Sequence, residues 1–198
     1  ALADGSVLAF GEFDLTPGQP QVPAVVKITA SGEVDASYGT DGYASDLDLL
    51  PRTDLAVDVQ GRALLATTDQ FVTIGQPIRL LRLTASGQVD ASFGTGGEVV
   101  IPDVRGIFNR DLPILGVDAG GRALVATAER PSETPVLYRF TESGAPDASF
   151  GMEGRMEVPL PWPTPWVAPD GSVYLTNSAL AQDAPPEPRV THVLPDGT

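Results

Sequence analysis

Eleven residues written almost identically at two places constrain this chain more than anything else in it. Ala30–Thr40 reads ASGEVDASYGT and Ala85–Thr95 reads ASGQVDASFGT. A third copy runs from Ser143 to Gly151 as SGAPDASFG. A fourth begins at Leu194-Pro195-Asp196-Gly197. The turn glycines Gly32, Gly87, Gly144 and Gly197 are 55, 57 and 53 residues apart. A fixed period of this length marks a chain built from repeated units.

A second motif alternates with the first. Leu55–Thr67 (LAVDVQGRALLAT) matches Leu115–Thr127 (LGVDAGGRALVAT), with looser copies at Ala3–Leu8 and Pro169–Leu175. The segment before each Gly turn alternates as a strand does, and Ala63–Ala66 is a short continuous apolar run suited to a strand covered on both faces. Ile78–Thr84 and Glu98–Ile101 supply two further strands, with Gly and Pro between them. With 21 Gly and 19 Pro spread along 198 residues, long helices are not expected. Four strands in each unit of about fifty residues predict a propeller blade rather than a solenoid coil.

The expected fold is therefore all-β: a β-propeller-like array of four-stranded antiparallel blades, with partial blades at both ends. The blades are placed at 1–45 (partial), 54–101, 113–158 and 164–198 (partial). An array that opens and stops within a blade is expected to be a segment of a longer one, or a small propeller closed through a shared blade. Its open strand edges invite self-association or association with the rest of a longer chain.

The pattern L-x-x-x-G-x-x-D-x-S-F-G-x-x-G, followed by L-A-V-D-x-x-G-R-A-L-L-A, resembles the delta-60 repeat family of bacterial proteins. The resemblance covers nearly the whole chain. Tyr38 departs from the family's Phe, and Met152-Glu153 from its Thr-Gly or Thr-Asp. It implies a propeller-like architecture and a secreted or cell-surface setting, and it implies no reaction.

Within the repeat, Ser-Gly and Asp-Gly make the turn that leaves the third strand, where Gly supplies positive φ. Asp35, Asp90 and Asp147 are expected to accept backbone N–H groups and cap one turn of chain. Tyr38, Phe93 and Phe150 are expected to bury a ring in the seam between neighbouring blades. A calcium site on these aspartates would need several oxygen ligands close in sequence, and the motif offers one Asp and one Ser.

Composition narrows function by exclusion. Twelve basic against 26 acidic residues give a net charge of −14, so no basic stripe is available for nucleic acid or an anionic membrane. Cysteine is absent, which removes thiolate metal sites and cysteine nucleophiles. The only histidine, His192, falls at the repeat position of Lys27, Arg82 and Arg139. That register assigns it a place among basic side chains, paired with a nearby acid, rather than a catalytic role. No catalytic or cofactor motif is present, and no metal or cofactor is expected. A carboxylate-based glycan hydrolase or lyase could draw on Glu98, Glu153, Asp103 and Asp111.

With the four strands of a blade lettered a to d in chain order, the a–b turns and the c–d corners repeat, and a propeller places them on one face. The b–c loops and the d–a connections, including Pro102–Leu112 and Pro159–Pro165, all differ and share the other face. Variable loops on a rigid scaffold are where recognition concentrates. Phe108, Asn109, Arg110, Trp162 and Trp166 carry the strongest binding chemistry there, for a protein or glycan partner. Packing within the blade beside the prolines is the competing reading for both tryptophans, and for Trp166 it is the favoured one. A purely structural surface-layer subunit is the remaining alternative to a binding module.

Overall fold

A computed structural model describes residues 2–49, 52–68, 77–102, 104–105, 114–129, 134–158, 163–177 and 190–198. Among these residues there are strands and turns and no helix. Four antiparallel sheets follow one another along the chain.

The first sheet contains β1 (Val7–Phe13), β2 (Val22–Ile28) and β3 (Tyr43–Ala44) in that spatial order. The second contains β4 (Arg52–Val57), β5 (Ala63–Thr68), β6 (Ile78–Leu83) and β7 (Glu98–Ile101). The third contains β8 (Val104–Arg105), β9 (Ile114–Val117), β10 (Ala123–Glu129), β11 (Thr134–Phe140) and β12 (Arg155–Glu157). The fourth contains β13 (Pro163–Val167), β14 (Val173–Asn177) and β15 (Val190–Val193). Within each sheet consecutive strands pair antiparallel, as in the blades of a propeller, except that β8 pairs with β10 alongside β9.

Register confirms the repeat residue by residue. Leu64 lies opposite Ala56 and Arg82, Leu124 opposite Gly116 and Arg139, and Tyr174 opposite Trp166 and His192. Leu8 lies opposite Lys27 in the first sheet. The continuous apolar run Ala63–Thr68 is buried throughout, and so is Ala123–Ala128. Both runs are middle strands sandwiched between two other sheets, which removes the polar face that an edge sheet would show.

The apolar interior is divided among three seams. Tyr38 packs with Leu8 and Val25 of the first sheet and Ala63, Leu65, Leu81 and Leu83 of the second. Phe93 packs with Leu64, Leu80, Leu115, Val125 and Phe140. Phe150 packs with Leu124, Leu137, Val173, Leu175 and Val193. Each motif aromatic therefore fills the junction between its own sheet and the next, as the repeat predicts. Burying a ring of this size contributes about 1.5–3 kcal/mol.

The inner strands approach closely. A Cβ on Gly116 would lie 2.2 Å from Val167 Cγ2, so β9 and β13 nearly touch at a position that only glycine fits. The inner strand of the third sheet also corrects the expected d–a connection at Pro102–Leu112. Val104 and Arg105 already pair with Glu129 and Ala128 of β10, and Ile114 resumes opposite Ala126. In the second sheet the corresponding residues are the consecutive Arg52, Thr53 and Asp54. The third sheet thus has an insertion within its inner strand where the second has Thr53 alone. A two-residue strand carries no periodicity that would reveal it in the sequence.

Candidate functional site

The repeated corner is a hydrogen-bonded lock between blades. Asp90 Oδ1 accepts Ser92 N–H at 3.1 Å and Ser92 Oγ–H at 2.6 Å, which closes the Asp-capped turn. Its Oδ2 accepts Arg82 Nε–H at 2.8 Å, and Arg82 Nη2 also reaches Ser92 Oγ at 3.1 Å. Asp147, Ser149 and Arg139 repeat the arrangement, again with an Nε to Oδ2 distance of 2.8 Å. The guanidinium carbons of Arg82 and Arg139 stand 4.7 and 4.4 Å from the ring centres of Phe93 and Phe150.

Each lock reaches into the following repeat. Arg82 Nη1 donates to Glu142 O, and Arg139 Nη1 to Pro195 O. The motif glycine donates to the next carbonyl: Gly39 N to Ser86 O (2.8 Å), Gly94 N to Ser143 O (2.8 Å) and Gly151 N to Asp196 O (2.9 Å). The following turn glycine sits against that same peptide. A Cβ on Gly87, Gly144 or Gly197 would lie 2.8, 2.7 or 2.6 Å from the N of Gly39, Gly94 or Gly151. Backbone meets backbone there, so glycine is required for the approach as well as for its positive φ.

Ionisation follows the bonding. Asp35 is pulled down to about 2, chiefly by the Ser37 hydroxyl and then by Lys27. Burial opposes ionisation of Asp90 and Asp147, but their serine and arginine donors outweigh it and leave both below the ordinary aspartate value. The a–b turns also occupy their carboxylates. Asp58 holds Gln60 N–H, Arg62 N–H and Arg62 Nε, and Asp118 holds Gly120 N–H, Arg122 N–H and Arg122 Nε. Arg62 Nη2 reaches Glu142 Oε1 at 2.8 Å, joining an a–b turn to the next repeat's corner on one side of the array.

The carboxylates considered for catalysis are differently placed. Glu98 is gripped by Arg79 through two hydrogen bonds of 2.6 and 2.9 Å and titrates below the ordinary glutamate value, mainly for that reason. Glu153 is exposed with φ of 53° in the corner turn. Asp103 and Asp111 lie outside the described residues. Another glutamate, Glu129, accepts Arg155 and the Tyr138 hydroxyl.

Phe108, Asn109, Arg110 and Trp162 also lie outside the described residues. Trp166 is on β13 and is 60% exposed, so the favoured packing within the blade is corrected. Val167 points to the seam and Trp166 to the opposite side. Its indole leans on Tyr174 with centroids 5.6 Å apart, and Tyr174 stacks on His192 at 4.6 Å. His192 does stand at the register of Lys27, Arg82 and Arg139; its ring stacks on Tyr174, and its nearby acid is Asp170, whose pKa is lowered chiefly by Ser172 and to a small extent by His192. The sequence carried the signal for the Tyr174 contact, since Trp166, Tyr174 and His192 share one register across three strands.

The first 37 residues beyond Ala1 echo a known family. Residues 2–38 match a family described as a domain of unknown function (DUF5122), beta-propeller. No curated protein matches the chain significantly. The match and the four sheets agree on a β-propeller repeat domain.

Proposed function

We propose that this chain is a non-catalytic, delta-60-type propeller module of a secreted or cell-surface bacterial protein. It acts as a scaffold that presents variable loops to a protein or glycan. The observation that carries the reading is the division of labour along each blade. At the corner end, aspartate, serine and arginine side chains are consumed in a lock that repeats from sheet to sheet. Such groups are committed to the structure of the corner.

Sequence variety lies instead in the d–a and b–c connections. Indole and guanidinium side chains concentrate binding energy when they sit on a rigid frame. The arginine grip on Glu98 and Glu129 favours scaffold over hydrolase, since a general acid needs a carboxyl raised, not lowered, in pKa. The test is capture of glycans and surface proteins by the chain and by Arg110→Ala, Trp162→Ala and Trp166→Ala. Loss of capture with an unchanged melting temperature supports the reading. Unchanged capture by all three variants, or robust glycan hydrolysis by the parent, overturns it.

A further inference from the structure

The corner lock has two halves, and the chain holds them in unequal number. One half is the D-x-S-(Phe/Tyr)-Gly corner, which donates its glycine N–H and inserts its ring. The other is the seat: a carbonyl that accepts that N–H, a glycine one residue on, and an apolar sheet face beneath the ring. Seats at Ser86-Gly87, Ser143-Gly144 and Asp196-Gly197 are filled by the corners of Tyr38, Phe93 and Phe150. A fourth seat exists at Ser31-Gly32. Gly32 has φ of 88°, against 81° and 86° at Gly87 and Gly144, so the turn is formed identically. Yet a Cβ on Gly32 would meet nothing within 4 Å, and among the described residues no backbone N–H reaches Ser31 O.

The sheet face beside this seat is also built for cover. Val7, Ala9 and Ile28 occupy the registers of Ala63, Leu65 and Leu83 in the second sheet and of Val173, Leu175 and Val193 in the fourth. Those counterparts are buried under the ring of the preceding corner, whereas Val7 is 42% exposed and Ala9 and Ile28 are half-buried. The surface therefore continues an interface that the chain already makes three times.

We propose that the open face of the first sheet, formed by Val7, Ala9, Ile28, Ser31 O and Gly32, docks a further D-x-S-(Phe/Tyr)-Gly corner from a repeat outside these 198 residues. A second copy of the chain is a poor source. Its three corners are already engaged by their own seats. The incoming repeat would place its motif glycine N–H on Ser31 O and its aromatic ring over Ile28. A basic residue eight positions before its aspartate would reach Ala30 O, as Arg82 and Arg139 reach Glu142 O and Pro195 O.

The experiment duplicates residues 1–62 directly ahead of Val7, since Arg62 and Ser6 share a register, and compares this extended chain with the parent. Gly32→Ala is made in both. In the parent it meets only the strain of a positive φ. In the extended chain its Cβ would strike the docked peptide, as at Gly87. The expected result is a higher melting temperature for the extended chain and a Gly32→Ala loss several degrees larger than in the parent. Equal losses in the two backgrounds overturn the proposal, and so does an extended chain that cannot fold around the added repeat. A concentration-dependent parent dimer abolished by Ile28→Asp also overturns it, because that face would then belong to a second copy.

Discussion

The first corner and the two that follow perform the same task with different side chains. In the second and third sheets an arginine, only 2% exposed, ties its own aspartate, its own serine and the next repeat's carbonyl together over a phenylalanine. In the first sheet Lys27 holds Asp35 at 2.9 Å and its side chain is 18% exposed, and the ring of this corner is a tyrosine, Tyr38. A lysine has three donors but no planar guanidinium fork, and among the described residues no hydrogen bond carries Lys27 on from Asp35 to the next repeat's carbonyl. The Tyr38 ring is as deeply buried as Phe93, but its hydroxyl finds no hydrogen-bond partner among the described residues, and burial raises its pKa to about 12. The lesson is that ring and glycine set the geometry of a seam, whereas the arginine stitches one repeat to the next.

Breaking the shared element should have the largest effect. Phe93→Ala or Phe150→Ala removes a fully buried ring from a seam and should lower unfolding free energy by about 3–5 kcal/mol in urea titration. Tyr38→Ala should match them, which would confirm that the ring contributes equally in all three seams.

Next comes the element that differs. Arg82→Met or Arg139→Met leaves a partly buried aspartate and a neighbouring carbonyl without their donor, for a loss of about 3 kcal/mol. Lys27→Met should lose clearly less by the same measurement. Equal losses would mean that the link to the next repeat carries no stability of its own.

Two gains sharpen the contrast. Tyr38→Phe removes an unsatisfied buried hydroxyl and should stabilise the chain by about 1 kcal/mol. Lys27→Arg should add a smaller rise in melting temperature by supplying the fork, read by calorimetry in the Tyr38→Phe background.

The smallest effect is on acid stability. Asp35, Asp90 and Asp147 are all lowered in the folded chain, so their stabilisation is complete above the ordinary aspartate value of 3.8 and is lost as pH falls through the folded values, about 2 for Asp35. Melting temperature should be flat from neutral pH to about 5 and fall between pH about 4 and 2. Asp35→Asn should make that fall shallower.

Much of the architecture was legible because the repeat writes each instruction several times. Strand pairing, the seam position of Tyr38, Phe93 and Phe150, and the aspartate cap follow from the motif and hold in the structure. Burial of Arg82 and Arg139 did not follow. A basic residue in the third strand of a blade reads as surface, and only the three-dimensional approach of the next corner provides the carbonyl that makes burial tolerable. Val104-Arg105 was hidden for a different reason. Two residues cannot display a period, and Gly and Asn nearby read as loop. Trp166 was misread because prolines at 163 and 165 suggested a packed corner, when strict alternation with Val167 already assigned it to the other side.

That alternation bears on curvature. Ala56, Gly116 and Trp166 hold one register on the inner strands, and at Gly116 the neighbouring strand comes within reach of a single methyl. Small side chains at the hub let successive sheets converge there and splay apart at the rim. An indole at the same point acts as a wedge. Any element laid against the fourth sheet must stand off from the hub by the thickness of that ring, and so meet it at a flatter angle than the three seams before it.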